Sequence, residues 1–292
     1  MKITGHSKGL LSTWTFIKDY NLLIDAGEGV TNSLHQTLGS INHIVITHPH
    51  FDHVGGLAGL LHLQARVAPH HRPKLYLPGD AERFHRILDL LGNRTRDNVD
   101  IYRTDMSKEF DLGGGRTMTT FPVDHSPLSR GVLIQETRSK LKDEFVGKTG
   151  KEIKDLKTSG VEIEHKFKHT LLAATGDTAP LNQETIYYIN KPDVLITEAT
   201  FLRKADRVSE KVHNHNDLDT LLESLRFISP KETILHHVSP RYQRETITQA
   251  TERALEYNAH LVFGDFRMDI QPGKKLTVMP HQEQDTNADI DV

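Results

Sequence analysis

Apolar positions along this chain fall into short continuous runs, separated by stretches whose apolar residues recur at helical spacing. Residues 41–46, Leu171-Leu172-Ala173-Ala174, Val194-Leu195-Ile196 and Ile234-Leu235 are runs of the kind that strands buried on both faces require. Residues 14–17 and 22–24 predict an opening hairpin around the turn formers Lys18, Asp19, Tyr20 and Asn21. Further strands are predicted at 74–77, 99–102 and 117–121. Between them, Leu57, Leu60, Leu61, Leu63 and Gln64 have helical spacing, and residues 80–91 and 218–227 predict two more helices, the last with Asp217 as its N-cap. This alternation predicts an α/β layered core.

Charge interrupts the pattern once. Residues 138–168 hold nine Lys or Arg and six Asp or Glu, with Gly147, Gly150 and Gly160 as breaks. Residues 150–156 predict a short exposed helix, and the segment 138–169 reads as a charged flap. Such a flap is either a solvated face or a surface whose excess positive charge draws an anion toward the site. Residues 281–292 are acidic without apolar pattern, so residues 1–280 are expected to form one domain followed by a disordered tail.

The remaining composition is that of an ordinary soluble protein. Of 292 residues, 36% are hydrophobic and 26% charged, and the formal net charge of −3 advertises no general affinity for nucleic acid. The absence of cysteine excludes disulfides and thiolate metal sites, and fits a reducing cytosol. The opening MKITGHSKGL lacks the apolar core of a signal peptide, and no run is long enough to span a membrane. A cytoplasmic location with no membrane partner is therefore expected.

The candidate chemistry is concentrated in Thr47-His48-Pro49-His50-Phe51-Asp52-His53, directly after the strand predicted at 41–46. Three histidines and an aspartate within six residues can serve two cations, His48 and His50 one, Asp52 and His53 the other. Zn²⁺ suits such imidazole and carboxylate donors. Upstream, Asp25 lies in the glycine-rich turn Asp25-Ala26-Gly27-Glu28-Gly29, either orienting a ligand histidine or simply solvated.

The pattern H-x-H-x-D-H resembles the signature of the metallo-β-lactamase superfamily. That resemblance implies a four-layer αβ/βα sandwich with two metals at one rim. Later segments follow in the same order: His125 after a strand, Gly176-Asp177-Thr178, Glu198-Ala199-Thr200, His215 before the capped helix, and His237-Val238-Ser239-Pro240-Arg241-Tyr242. Together they look like tRNase Z and its phosphodiesterase relatives. The resemblance implies that His48, His50 and His125 hold one metal, that Asp52, His53 and His237 hold the other, and that Asp177 bridges them. The metals would be two Zn²⁺, with Mn²⁺ or another divalent ion as alternatives. Asp52 would also accept the nucleophile's proton. His215, free of metal, would protonate the leaving group with Glu198 orienting it. Ser239 and Arg241 would contact phosphate, although Arg241 equally suits a pairing with a core carboxylate. His213 and His236 have no assigned role. The family usually has Thr where Asp217 stands.

The expected activity is that of a dizinc phosphodiesterase in which a metal-activated hydroxide attacks phosphorus. Two substrates compete. Gly9-Leu10 with Ser12-Thr13-Trp14 resembles the opening of anti-Pycsar phosphodiesterases, phage-encoded and bacterial, which hydrolyse 3′,5′-cyclic nucleotides. The phage case would place the protein in the host cytoplasm. The alternative is a tRNase Z-like endoribonuclease acting on the 3′ trailer of precursor tRNA. That branch carries a long Gly- and Pro-rich arm between the ligand His and the G-D-T motif, whereas residues 126–175 here contain a single proline and read as a short flap. The cyclic nucleotide is therefore the expected substrate. A third reading is a non-catalytic, metal-stabilised RNA-binding protein. The resemblance further implies a homodimer.

Overall fold

In the computed structural model, successive residues of the central strands enter different cores, and that alternation builds the layers. The structure describes residues 1–79, 82–89, 91–104, 108–209, 212–271 and 278–280; the acidic tail and the predicted helix start at Asp80 lie outside them. The strands are β1 (Lys2–Lys8), β2 (Ser12–Ile17), β3 (Leu22–Ile24), β4 (His43–Val45), β5 (Lys74–Leu77), β6 (Asp100–Arg103), β7 (Phe110–Gly113), β8 (Arg116–Pro122), β9 (Arg130–Leu141), β10 (Glu164–Ala174), β11 (Val194–Glu198), β12 (Glu232–His236), β13 (Ala259–Leu261), β14 (Gly264–Asp269) and β15 (Val278–Pro280). They form two mixed sheets. One has the order β15-β14-β1-β2-β3-β4-β5-β6 and the other β13-β12-β11-β10-β9-β8-β7.

Leu22, Ile24 and Val45 from the first sheet share a core with Val132, Ile134, Leu172, Ile196 and Ile234 from the second. Their chain neighbours Leu23 and Ile44 pack instead with Leu57, Leu60 and Leu61 of the helix Leu57–Val67. Leu133, Ala173, Leu195 and Leu235 pack with Leu218, Leu221 and Leu225 of the helix Leu218–Ile228. A side-chain period of two thus sends alternate residues inward to the facing sheet and outward to helices. The result is the four-layer sandwich. Among the described residues, no helix is long and apolar enough to cross a membrane.

The hairpin expected at the N-terminus is joined by two strands that sequence patterning did not single out. β1 pairs antiparallel with β2 on one side and with β14 on the other. Its sequence KITGHSK has one large apolar residue, so no run marks it as a strand.

The charged segment forms a two-stranded arm that carries a helix at its end. β9 pairs with β8 only as far as Glu136, and β10 pairs with β11 only from Leu172. From Thr137↔Lys168 to Leu141↔Glu164 the two strands pair with each other, giving a ribbon about 17 Å long at ~3.4 Å per residue. The helix Gly150–Thr158 lies beyond it, begun by a capping box in which Glu152 Oε2 accepts from Thr149 N at 2.7 Å. At the base, Asp193 holds His169 of β10 at 2.8 Å and Lys231 at 2.5 Å.

Candidate active site

Six strands deliver the site from their C-terminal ends. Asp25 follows β3, His48 to His53 follow β4, His125 follows β8, Asp177 follows β10, Glu198 ends β11, and His237 follows β12. A strand end releases the backbone from its ladder, so loops there can turn side chains toward a common centre. The loops approach closely. Gly176 has φ +61°, and a Cβ on it would lie 2.9 Å from Thr47 Cβ. Asp25 and His237 adopt similarly positive φ, 59° and 61°, without being glycine. That strain costs about 1 kcal/mol or more each, and persists because surrounding bonds hold both residues.

Seven predicted side chains converge. His48, His50, His125 and Asp177 form one group of potential ligand atoms, and Asp52, His53 and His237 form a second. In the first, His50 Nδ1 lies 3.0 Å from His48 Nε2 and 3.1 Å from His125 Nε2. In the second, His237 Nε2 lies 3.1 Å from Asp52 Oδ2, and His53 Nε2 lies 3.7 Å from the same oxygen. Asp177 stands between them, Oδ2 3.6 Å from His48 Nε2 and 3.3 Å from His237 Nε2, and Oδ1 3.4 Å from His53 Nε2.

The far nitrogens of three of these rings are held from behind. His53 Nδ1 donates to Asp25 Oδ2 at 2.8 Å, and Asp25 also accepts from Thr47 N at 2.7 Å. His125 Nδ1 donates to the Asn214 carbonyl at 2.8 Å, and His237 Nδ1 lies 2.9 Å from Thr200 Oγ1. These partners fix ring orientation and leave Nε2 lone pairs aimed inward. Of the two readings left for Asp25, the ligand-orienting one matches this geometry. Asn214 and Thr200 were not assigned by sequence reasoning: a backbone carbonyl leaves no residue-type signal, while Thr200 stood in the quoted Glu198-Ala199-Thr200.

These donors fit divalent metal. His53 Nε2 and Asp177 Oδ1 are buried and have no hydrogen-bond partner among the described residues, an expensive state unless a ligand satisfies them. Burial alone would lower the His53 pKa, but the Asp177 and Asp25 carboxylates outweigh it and raise the value well above normal. Burial would raise the Asp177 pKa, yet the surrounding imidazoles of His237, His53 and His48 hold it well below normal. For His48, burial and then the neighbouring His53 push the pKa down. The field thus calls for positive charge near His53 and Asp177 but keeps His48 neutral, as ligation requires.

His215 stands apart from the two groups. Its Nδ1 lies 4.0 Å from Asp177 Oδ2, so it can be grouped with Asp177 and His237. That nitrogen, however, is engaged by Glu198 Oε1 at 2.9 Å. Burial lowers the His215 pKa, but the Glu198 charge and hydrogen bond outweigh it and raise the value to about 9. Glu198 is itself fully buried and accepts from the backbone N–H of Thr178, Thr200 and Asn216. Asp217 caps the following helix through Thr220 N at 2.8 Å and binds Arg207 Nε at 2.7 Å. The second contact accounts for a carboxylate at this position.

Ser239 and Arg241 contact one another. Arg241 Nε donates to Ser239 Oγ at 3.0 Å, and the guanidinium lies 5.1 Å from the Phe201 ring centre. His236 is wholly buried beside Ser7, and burial, with repulsion from His237, lowers its pKa to about 3. His213 is exposed.

Comparison with known proteins agrees with this geometry. The model of the beta-lactamase superfamily domain matches residues 20–238. A chloroplastic tRNase Z of Arabidopsis thaliana is 28% identical over 265 residues, covering 85% of this chain and 70% of that protein. A ribonuclease Z of Staphylococcus carnosus is 26% identical, covering 77% and 80%. Among solved structures, the metallo-beta-lactamase fold protein YhfI from Bacillus subtilis aligns with a TM-score of 0.64 at 16% identity, over 91% of this chain and 97% of that one. At that identity the likeness concerns the fold alone.

Proposed function

The chain belongs to the metallo-β-lactamase superfamily, and from that premise we propose that this metal-dependent hydrolase is a phosphodiesterase acting on RNA, with the 3′ side of precursor tRNA as substrate. The observation that carries the substrate is the placement of the charged arm. β10 runs from Glu164 on the arm to Ala174, three residues before Asp177. Ten residues of strand span about 33 Å, so the arm leaves the sheet at the end opposite the cluster. A positive surface there cannot assist a mononucleotide at its own centre. It suits a long polyanion, or one whose scissile bond lies at the centre of a second protomer, and we propose a homodimer on that ground. The tRNase Z names of the curated relatives support the same reading.

We assign His48, His50, His125 and Asp177 to one ion, and Asp52, His53, His237 and Asp177 to the other. Divalent ions there, Zn²⁺ by donor type, would supply Lewis acidity and lower the pKa of water. Asp52, joined by Leu10 N at 3.1 Å and His237 Nε2 at 3.1 Å, keeps an anionic oxygen at the centre and accepts the proton from the attacking water. His215, held protonated by Glu198, donates to the departing alkoxide. Ser239 and Arg241 act as a unit, the serine holding an arginine at the rim where an RNA phosphate can be met.

The cyclic-nucleotide reading stands second, favoured by the formal net charge of −3, which gives the whole surface no excess for a polyanion. Its opening motif carries less than expected. Thr13 and Trp14 are buried core residues, and Ser12 Oγ donates to the Glu28 carbonyl at 2.7 Å, so these side chains serve packing.

The test offers precursor tRNA and cyclic AMP, GMP, CMP and UMP to the zinc-loaded protein and compares kcat/KM. Site-specific trailer cleavage with the higher value is expected. Efficient cyclic nucleotide turnover without trailer cleavage would reverse the choice.

A further inference from the structure

Around Asp52, three apolar side chains stand in solvent. Leu10 is 76% exposed, Leu11 53% and Phe51 69%. Leu10 and Leu11 form the tip of the hairpin between β1 and β2, tied to the metal-binding loop by the hydrogen bond from Leu10 N to Asp52 Oδ2. Phe51 is the residue between His50 and Asp52. Its ring rests against Gly55, where a Cβ would come within 3.1 and 3.2 Å of Cε1 and Cζ. The missing side chain gives the ring a seat.

Leu10 is also strained. Its φ of 68° is a conformation in which glycine is at ease and leucine is not. Strain and exposed apolar surface therefore coincide at the lip of the reaction centre, and each by itself disfavours the folded state. A ligand that covers this surface accounts for both.

We propose that Phe51, with Leu10 and Leu11, is a stacking platform for one unpaired nucleobase adjacent to the phosphate at the cluster. The proposal rests on the phosphodiesterase reading and narrows it to nucleotides. A nucleotide joins an anion to a flat aromatic group, matching a cationic centre with a ring at its edge. Stacking is tolerant of base identity, because every base has a π-face. A base inside a duplex already has both faces covered, so the platform selects substrates unpaired at the scissile position. A second copy of the chain is a poorer occupant. Three side chains fall far short of the roughly 800 Å² per partner of a stable interface, and covering them would close the route to the cluster.

Calorimetric binding of AMP and ribose 5-phosphate to the zinc-loaded protein decides the matter, since the two differ only in the base. Wild type is expected to bind AMP about 5- to 100-fold tighter, the worth of one base–aromatic stack. Phe51→Ala should bring the ratio near one at unchanged metal content, and Phe51→Tyr should keep it. Kinetics distinguish the source of the base. A Phe51→Ala loss on RNA that vanishes with an abasic nucleotide at the scissile position assigns it to RNA, and a loss on cyclic AMP assigns it to a cyclic nucleotide. A ratio near one in wild type, or one unchanged in Phe51→Ala, overturns the platform. So does a Phe51→Ala protein that loses its dimer in sedimentation while keeping the ratio. If the protein hydrolyses neither RNA nor cyclic nucleotides, the hydrolytic reading fails, while the AMP ratio still decides Phe51.

Discussion

His215 Nδ1 lies 2.9 Å from Glu198 Oε1, while Glu198 Oε2 accepts from Asn216 N at 3.2 Å and Thr200 N at 3.3 Å. The carboxylate is held both by Asn216, the chain neighbour of the imidazole, and by Thr200 after β11, so proton affinity and orientation are set together. Burial lowers the His215 pKa, the Glu198 charge overrides it, and the value rises to about 9. A general acid must be protonated, so the rate should fall as pH rises through this pKa. Glu198→Gln removes the charge and leaves burial in command, so the alkaline limb should move to lower pH. A kcat profile from about pH 6 to 10 checks this. An unmoved limb assigns it to another group.

His215→Ala should retain its metals and lose about 10²- to 10⁴-fold in kcat on a substrate with an alkoxide leaving group. With a p-nitrophenyl ester the loss should shrink, because that group departs without a proton. Equal losses on both esters would indicate that His215 positions substrate instead.

Replacing His50 and Asp52 together by Ala removes one donor from each group. Metal content measured by mass spectrometry should drop from about two ions per chain, hydrolysis should vanish, and most of the fold should remain. Chelation of wild type should likewise lower the melting temperature, since ions bound only by the folded state stabilise it. Full activity of the double variant after chelator treatment would falsify the dinuclear assignment.

Exchanging residues 138–168 for a short Gly-Ser turn removes the arm beyond the pair Glu136↔His169. On the proposed reading, KM for precursor tRNA should rise at least tenfold while kcat on a small p-nitrophenyl phosphodiester changes little. An unchanged KM for tRNA would deprive the arm of its role. The salt dependence of tRNA binding should also weaken, because the arm carries an excess of three positive charges.

One histidine outside the site contributes to acid stability. His43 is buried against Tyr76, with Nδ1 3.0 Å from the hydroxyl. Burial, and then the charge of Lys74, lower its pKa to about 4. The unfolded chain takes up this proton near pH 6.5, before the folded one does, so stability falls as pH drops from about 6.5 to 4. The contribution is about 2 kcal/mol at pH 5. Urea unfolding at pH 7 and pH 5 should show a loss about 2 kcal/mol smaller in His43→Gln than in wild type, His236 with its own lowered pKa contributing to both. Equal pH dependence in the two proteins removes His43 from the account.

The convergence of His48, His50, Asp52 and His53 was legible in the sequence because they lie within six residues, and local spacing along one turn already limits where they point. Apolar runs such as Val194-Leu195-Ile196 were legible for a similar reason: a strand covered on both faces needs side chains that water does not favour. Asp217 declared its helix start through its own capping chemistry. The distant members, His125, Asp177 and His237, were found only through the order of motifs, since no local rule brings strand ends together.

Tertiary structure decided the rest. The bonds from Asn214 O to His125 and from Thr200 to His237 join segments far apart in sequence, and a carbonyl oxygen belongs to every residue alike. β1 was hidden because its pairing with β14 bridges nearly the whole chain. The charge of residues 138–168 was plain from composition, but its direction was not. Composition records how many lysines a segment holds. Only the antiparallel pairing of β9 with β10 places Lys168 about 20 Å and Lys166 about 26 Å back along the strand from Ala174, because a strand that ends at the centre must begin one strand length away.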